Sequence, residues 1–371
     1  MENKLELPKI ALGATGMTAS RFGLGGFHQV EISSEIVTQV VDAFLDVGGN
    51  YIETARSYGN GASEEKLGRA LEGRRDQVIL ASKSGRRDGS GIRQELEVSL
   101  KALRTDHIEF YFFHGVNTME ELDTITAPDG ALAALLKAKE EGLITGLGFS
   151  SHRPPQMYLQ GIERLPLSVI LIWDNYLEEQ FVPEIQGEVY PLARERGVAI
   201  TAMKPLADGF LYRSPESAIR YALGSGSEVL ICGTNTVEHV YQVARAVCAG
   251  AADGEERKAI LRDAPELGAY VCRQCGGCSA DLMKLFRLEG YVDRQMIDYL
   301  EHDPADYALR RRLSGWFDLA GIAQERFASE FDAPDALLVE AGTVDCPYSI
   351  DVARKTRLAL AKLRQERTDV L

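Results

Sequence analysis

Four ionisable side chains lie at or near the ends of predicted strands, at positions suited to proton transfer. Glu53 closes one short apolar strand, and Tyr58 follows it on a turn that contains glycines. Lys83 closes the next apolar strand along the chain, and His114 closes the strand after that. In a parallel α/β barrel the carboxyl ends of the strands converge on one rim, where the chemistry of that fold takes place. We therefore expect the four side chains to form one site.

The residue types of this set suit general acid–base chemistry on a carbonyl group. A free tyrosine has a pKa of about 10, and a nearby lysine favours the phenolate and lowers that value. A carboxylate can hold the lysine in place, and a neutral histidine beside the tyrosine can donate to a substrate carbonyl and orient it. Each residue alone has an ordinary structural explanation, such as a solvated lysine or a core histidine. Their order at successive strand ends favours the catalytic interpretation.

Strands and amphipathic helices alternate along most of the chain. Eight apolar strands are predicted near residues 21–25, 50–53, 77–82, 108–113, 144–149, 168–173, 198–203 and 227–232. This alternation favours an α/β fold, a (β/α)8 TIM barrel, over a doubly wound sheet, and no G-x-G-x-x-G sequence lies at a strand-to-helix turn. Residues 1–265 are predicted to form the barrel, with Leu5–Ser20 as a hairpin at its floor. Residues 266–371 are predicted to form a helical C-terminal extension.

Composition and charge limit the class of protein. The 371 residues provide for a barrel of about 250 residues and an appendage. A net charge of −14 argues against a nucleic-acid partner, because phosphate binding requires a basic face. No apolar run approaches the roughly 20 residues of a membrane span, and the first residues do not resemble a signal peptide. We expect a cytoplasmic protein with a small-molecule substrate, and the sequence leaves its oligomeric state open.

The cysteines predict a second site. Three are spaced as C-x2-C-x2-C and a fourth begins a C-P pair: Cys272, Cys275, Cys278 and Cys346. This order resembles the ligation of a four-iron four-sulfur (4Fe–4S) cluster in bacterial ferredoxins. A four-cysteine zinc site and unligated thiols are the alternatives, although zinc sites more often pair two C-x2-C knuckles. Cys232 and Cys248 lie in apolar surroundings and are predicted to be core residues.

Several motifs together resemble those of one enzyme family. The segment from Glu53 reads E-T-A-R-S-Y-G-N-G-A-S-E-E-K-L-G, and it is followed by S-L-K-A-L-R-T-D, G-L-G-F-S-S, K-P-L-A-D-G and G-T-N. Over about residues 8 to 250 the chain resembles the aldo-keto reductase superfamily. Its cysteines resemble those of the subset with a C-terminal ferredoxin-like 4Fe–4S motif.

The resemblance implies roles for the site residues and a nicotinamide cofactor, NADP or NAD, extended over the barrel mouth. Tyr58 would be the general acid/base, Lys83 its pKa-lowering partner and His114 the residue that orients the carbonyl. Ser150 and Ser151 would approach the carboxamide of the cofactor. Pro205, Leu206 and Gly209 would approach its pyrophosphate. Gly233, Thr234 and Asn235 would approach its adenosine end.

Three positions depart from the family pattern. Glu53 stands where the family has aspartate, which lengthens the side chain by one methylene group. Met203 replaces the aromatic residue that many members place under the nicotinamide, so a thioether contact replaces stacking. His239 lies where an arginine usually binds the 2′-phosphate of NADP, which leaves NAD as an alternative cofactor.

The 67 residues between the third and fourth cysteines (279–345) are predicted to form an acidic, helical insert. Its amphipathic segments are Asp281–Leu288, Val292–His302, Pro304–Leu313 and Leu319–Phe331, and its aromatic residues include Trp316, Phe317, Phe327 and Phe331. We expect a helical cap that packs on the barrel. The alternative is that the insert covers the substrate mouth or docks a redox or biosynthetic protein partner.

These features favour an oxidoreductase that transfers a hydride between a nicotinamide cofactor and a carbonyl/alcohol substrate. Two alternatives remain open. The first is a redox-neutral lyase, epimerase or dehydratase that uses tightly bound NAD, which Glu53 would suit. The second is a regulatory subunit without turnover. The 4Fe–4S cluster is expected to be structural, because a two-electron hydride transfer does not require it.

Overall fold

The computed structural model describes residues 5–152, 155–294 and 319–366. The chain divides into two compact units. The first comprises Met1–Asn175 and Glu184–Gly254, and the second comprises Tyr176–Pro183 and Glu255–Leu371. The second unit therefore starts before the boundary after residue 265 expected from the sequence, and it also includes a short segment that follows the sixth barrel strand.

Eight parallel strands close into a barrel in the first unit, which confirms the predicted fold. They follow a short hairpin formed by β1 (Lys9–Ala11) and β2 (Thr18–Ser20). The barrel strands are β3 (Phe22–Gly25), β4 (Tyr51–Glu53), β5 (Ile79–Ser84), β6 (Ile108–Phe113), β7 (Ile144–Ser150), β8 (Leu167–Trp173), β9 (Ala199–Met203) and β10 (Val229–Gly233). Neighbours in the barrel are consecutive along the chain, and β10 pairs with β3 to close it.

The hairpin covers the amino-terminal end of the barrel. Strands β1 and β2 pair antiparallel, and Leu12 and Ala19 are fully buried in a core cluster with the barrel side chain of Tyr51. Gly13 has a φ of +43°, and a Cβ atom there would lie 2.5 Å from the carbonyl oxygen of Gly197, just before β9. The turn therefore needs glycine for its backbone conformation and for its close approach to the barrel.

Helices cover the strands or build the second unit. In chain order they are α1 (Ser34–Asp46), α2 (Ala62–Ala70), α3 (Gly89–Ala102), α4 (Met119–Thr126), α5 (Ala131–Glu140), α6 (Pro155–Arg164), α7 (Tyr176–Phe181), α8 (Tyr190–Glu195), α9 (Pro215–Leu223), α10 (Val237–Cys248), α11 (Gly254–Asp263), α12 (Ala280–Arg294), α13 (Leu319–Glu330), α14 (Leu337–Ala341) and α15 (Val352–Leu363). Helix α1 shows why they form: Ser33 caps its first turn, and Val37, Val40, Val41 and Phe44 form one buried face.

The second unit is a helical assembly around α12, which packs against α13 and α15. Leu282, Leu285 and Phe286 of α12 are buried there. The predicted insert helices Asp281–Leu288 and Leu319–Phe331 coincide largely with α12 and α13. The predicted segment Pro304–Leu313, most of Val292–His302 and the aromatic residues Trp316 and Phe317 lie outside the described residues. Among the described residues, no helix has the length and apolar character needed to cross a membrane.

Candidate active site

The strand ends place the four predicted side chains at the carboxyl-terminal rim of the barrel. Glu53 is the last residue of β4, Lys83 is the penultimate residue of β5, and His114 follows β6 directly. Tyr58 begins a tight turn in which Gly61 has a φ of +96°. Glycine is favoured here because residues with a side chain rarely adopt this positive φ.

A buried ion pair organises the site. Lys83, which is 1% exposed, pairs with the carboxylate of Glu53, which is 4% exposed. The ammonium Nζ also donates to the carbonyl oxygen of Thr54 at 2.7 Å and lies 3.2 Å from the hydroxyl of Tyr58. The Tyr58 hydroxyl in turn lies 3.5 Å from Oε1 of Glu53. The longer glutamate therefore keeps its contact with the lysine and also comes near the tyrosine.

The direction of the Tyr58 pKa shift differs from the sequence-based expectation. Lysine was expected to lower the pKa of this hydroxyl, but burial raises it above the usual value near 10. Burial also disfavours the charge of Lys83 and lowers its pKa, an effect that the paired carboxylate of Glu53 opposes. Desolvation of the phenolate is the cause of the Tyr58 shift. In this structure Tyr58 is a protonated phenol at neutral pH.

His114 stands edge-on to the tyrosine. The two ring centroids are 5.9 Å apart with an interplanar angle of 83°. Burial, and secondarily the positive charge of Lys83, lower the pKa of His114 well below its usual value, so the imidazole is neutral. Its Nδ1 atom lies 3.4 Å from the hydroxyl of Ser57, and Arg87 donates to its backbone carbonyl at 3.0 Å. These contacts fix the ring beside the Tyr58 hydroxyl.

The two predicted serines lie on the same rim, at the end of β7. Ser150 and Ser151 are both buried. The hydroxyl of Ser150 accepts from the backbone of Gly115 at 3.1 Å, and that of Ser151 donates to Asn117 at 3.1 Å. The next residue, His152, was missed by the sequence analysis. Its pKa is lowered to about 3 by burial and by Lys204, so it adds a second neutral imidazole near this rim. Its position three residues after the predicted strand 144–149 was the available signal.

The loop after β9 holds three of the predicted cofactor residues, Pro205, Leu206 and Gly209. Lys204, Ala207 and Asp208 have left-handed backbone conformations, which are costly for residues other than glycine and are concentrated at functional sites. The ammonium of Lys204 lies 3.1 Å from the carboxylate of Asp208, which closes the loop. Turns of this kind can direct successive backbone N–H groups to one side and form an anion-binding concavity. Met203, the last residue of β9, is half-buried.

At β10 the predicted residues Gly233, Thr234 and Asn235 form the strand end and the link to α10. The amide of Gln29 donates to the carbonyl of Thr234 at 2.6 Å. Oε1 of Gln29 and Oγ1 of Thr234 are buried and have no hydrogen-bond partner in the described part of the chain. His239 lies in the first turn of α10, where its Nδ1 is 3.0 Å from Oδ1 of Asn235. The rim thus offers polar groups that a ligand can satisfy.

The cysteine motif lies entirely within the second unit. All four predicted ligands line one small cavity of about 20 Å³: Cys272, Cys275, Cys278 and Cys346. The described residues contain no group of three or more His, Cys, Asp or Glu side chains arranged to hold a metal ion. Neither a zinc site nor an iron–sulfur cluster is therefore shown by the arrangement of the described side chains. Cys232 is buried as expected, but the prediction for Cys248 is wrong: it is exposed, and its thiol donates to the carbonyl of Glu6.

A closed parallel barrel with ionisable side chains at the carboxyl ends of its strands has the layout of a barrel enzyme. The Aldo/keto reductase family model matches residues 21–221, more than half of the chain. The chain belongs to this family. Residues 255–371, which form most of the second unit, lie outside the match.

Individual relatives agree with this classification. The chain is 30% identical over 222 residues to the Bacillus subtilis protein YrpG, described as an uncharacterized oxidoreductase, covering 54% of this chain and 67% of YrpG. It is 29% identical over 219 residues to the Bacillus subtilis oxidoreductase YqkF, covering 56% and 67%. The holo form of aldo-keto reductase AKR11C1 from Bacillus halodurans superposes with a TM-score of 0.62 at 26% identity, covering 70% of this chain and 97% of that one.

The buried ion pair predicts a large stability effect. Lys83→Met would leave the Glu53 carboxylate buried without its partner, and breaking a buried pair in this way costs about 3–5 kcal/mol. We expect the free energy of unfolding, measured by urea denaturation at pH 7, to fall by about that amount. The double variant Glu53→Gln/Lys83→Met removes both charges and should recover most of the loss. A Lys83→Met protein as stable as the wild type would contradict the buried pair.

Proposed function

We propose that the first unit is an oxidoreductase that interconverts a carbonyl and an alcohol with a nicotinamide cofactor, with Tyr58 as general acid/base. The observation that carries this proposal is the Tyr58 hydroxyl 3.2 Å from Lys83 Nζ, at the end of the buried Glu53–Lys83 pair. A bound nicotinamide would supply or accept the hydride. The protein supplies the proton and holds the substrate oxygen.

The proton comes from the Tyr58 phenol. Because burial raises its pKa, the hydroxyl is protonated and can donate as negative charge develops on a carbonyl oxygen. The phenolate that remains lies beside Lys83, whose positive charge stabilises it. Glu53 holds Lys83 in this position, so both act on the reaction through Tyr58. In the reverse direction the phenolate accepts the alcohol proton.

His114 orients the carbonyl. A neutral imidazole has one N–H donor, and a Ser57 hydroxyl that donates to Nδ1 leaves that hydrogen on Nε2. From its edge-on position His114 can then donate to the same oxygen that Tyr58 protonates. Two donors aimed at one oxygen fix the carbonyl for hydride transfer.

The cofactor would extend along the rim from β7 to β10. We assign its carboxamide to the end of β7, at Ser150 and Ser151, and its pyrophosphate to the loop 204–209. We assign its adenosine end to residues 233–235, where Gln29 and Thr234 have unsatisfied polar atoms. These groups fit a nucleotide with a diphosphate bridge.

The first turn of α10 bears on the choice between NAD and NADP. His239 contacts Asn235, and Arg245 in the last turn pairs with Glu238 at 2.7 Å. A 2′-phosphate is bound best by cations that form charge-assisted hydrogen bonds. His239 and Arg245 are instead engaged with Asn235 and Glu238. We therefore propose that NADH binds at least as tightly as NADPH.

For the second unit we propose a structural 4Fe–4S cluster on the four cysteines that line the cavity. The fit lies in the donor set, since four thiols face one space whose walls also include Met283, Phe286 and Ile350. Thiolates are the usual ligands of such clusters, and the iron–sulfur group would tie Cys346 to the other three cysteines. The cluster would then hold together the two ends of the insert 279–345.

Tyr58→Phe tests the catalytic assignment. The substitution removes the proton donor but keeps the ring, so we expect kcat to fall by about 10²–10⁴-fold, the usual contribution of a general acid. Steady-state reduction of small aldehydes and ketones, with fluorescence titration of NADH and NADPH as the binding control, provides the measurement. Unchanged nucleotide binding with lost turnover is the expected result. Full turnover in the Phe variant would remove Tyr58 from the mechanism.

Metal analysis tests the cluster independently of turnover. Protein purified without oxygen should be brown and contain about four irons and four acid-labile sulfides per chain. Cys278→Ser should lose iron, whereas Cys248→Ser, outside the cavity, should retain it. Zinc alone, or no metal, in the wild-type protein would rule out the cluster.

A further inference from the structure

A buried lysine lies behind the wall of the cysteine cavity. Lys355 is 4% exposed and lies in the first turn of α15, whose first residue, Val352, lines the cavity. Its ammonium is 5.2 Å from the ring centroid of Phe286, another wall residue, and 3.9 Å from that of Tyr270.

The surrounding side chains hold this ammonium in place. Glu289, which is fully buried, forms an ion pair with Lys355 and also binds the hydroxyl of Tyr270 and the ammonium of Lys362. Lys362 continues the network to Asp293 at 2.6 Å. Buried ion pairs contribute little net stability, because the charges must leave water. Apolar side chains would fill the same space at no such cost, so stability alone does not account for a lysine here.

A second cation borders the same cavity. Arg273 is 7% exposed, donates to the carbonyl oxygen of Gly268 at 2.7 Å, and has its guanidinium 5.1 Å from the ring of Tyr348. The amino-terminal end of α15, the positive end of its dipole, lies at the cavity as well through Val352. Two buried cations thus lie at or behind the walls around the four cysteines, although Lys355 is paired with Glu289 and the negative charge of Glu340 acts on Cys278. Positive charge at such a place favours an anionic group that has left water.

We propose that Lys355, fixed by Glu289, sets the reduction potential of the iron–sulfur cluster in this cavity, an inference that rests on the cluster proposed above. A cluster bound by four thiolates is anionic, and reduction adds one electron and makes it more so. A fixed positive charge stabilises the reduced form more than the oxidised form and therefore raises the potential. Net charge around the cluster is one of the factors known to set such potentials.

Lys362 supplies a matched control on the same helix. It contacts the same carboxylate, Glu289, but lies seven residues further along α15. At 1.5 Å per residue its backbone lies about 10 Å further from the cavity end of the helix, although its ammonium reaches back to the same carboxylate. The Lys362 ammonium also pairs with Asp293, whereas that of Lys355 lies against the wall residue Phe286. We therefore expect the charge of Lys362 to act on the cluster more weakly than that of Lys355, although its loss breaks the same buried network.

The test is a redox titration of the cluster in the full-length, anaerobically purified protein, with dithionite as reductant and electron paramagnetic resonance as the readout. We expect Lys355→Met to shift the midpoint potential to more negative values, and by more than Lys362→Met. Lys355→Arg keeps the charge and should stay near the wild-type potential. Glu289→Gln removes the opposing negative charge and should shift the potential to more positive values.

The outcomes separate the two proposals. Equal shifts in Lys355→Met and Lys362→Met, or no shift in Lys355→Met, overturn the role of Lys355 while the cluster stands. If Lys355→Met does not retain iron, Glu289→Gln decides: a more positive potential supports the role, and an unchanged or more negative one overturns it. Wild-type protein without iron overturns the cluster and, with it, this inference.

Discussion

The rest of the candidate site depends on one buried contact, the ion pair between Glu53 and Lys83 beneath the Tyr58 hydroxyl. Two charges can leave water only when they are paired and hydrogen-bonded, so the barrel must hold β4 and β5 in a fixed register at this point. That register places the hydroxyl of Tyr58 over the pair and the ring of His114 beside it. The hairpin at the opposite end and the closed strand order keep the rim rigid, which is what a proton-transfer site requires.

The two units differ in how they accommodate buried ionisable side chains. In the barrel, burial raises the pKa of a tyrosine and lowers that of a histidine, so both are neutral beside the Glu53–Lys83 pair. In the helical unit, the buried Lys355 pairs with Glu289 behind the wall of the cysteine cavity, and Arg273 lines that cavity. The first arrangement suits transfer of a proton, and the second suits retention of an anionic group. Each unit thus has its own buried charges and its own chemistry.

Much of this could be predicted from the sequence. The alternation of strands and helices predicted the barrel, because hydrophobic periodicity is a local property of the sequence. The order of Glu53, Lys83 and His114 at strand ends then predicted their common rim. The direction of the Tyr58 pKa shift could not be predicted, since it depends on how completely the folded chain excludes water. His152 and the exposure of Cys248 were missed for the same reason. The network around Glu289 joins residues far apart in sequence, and no local pattern indicates that they pair.

The pH dependence of kcat/KM for carbonyl reduction, at saturating NADH, tests the central claim most directly. In the proposed mechanism reduction requires the Tyr58 phenol, and a pKa raised above about 10 keeps that form present at alkaline pH. The account predicts a rate that stays level from neutral pH to about pH 9 and falls only as the phenol ionises beyond that. A basic limb centred near pH 7 to 8, with unchanged nucleotide binding, would contradict it.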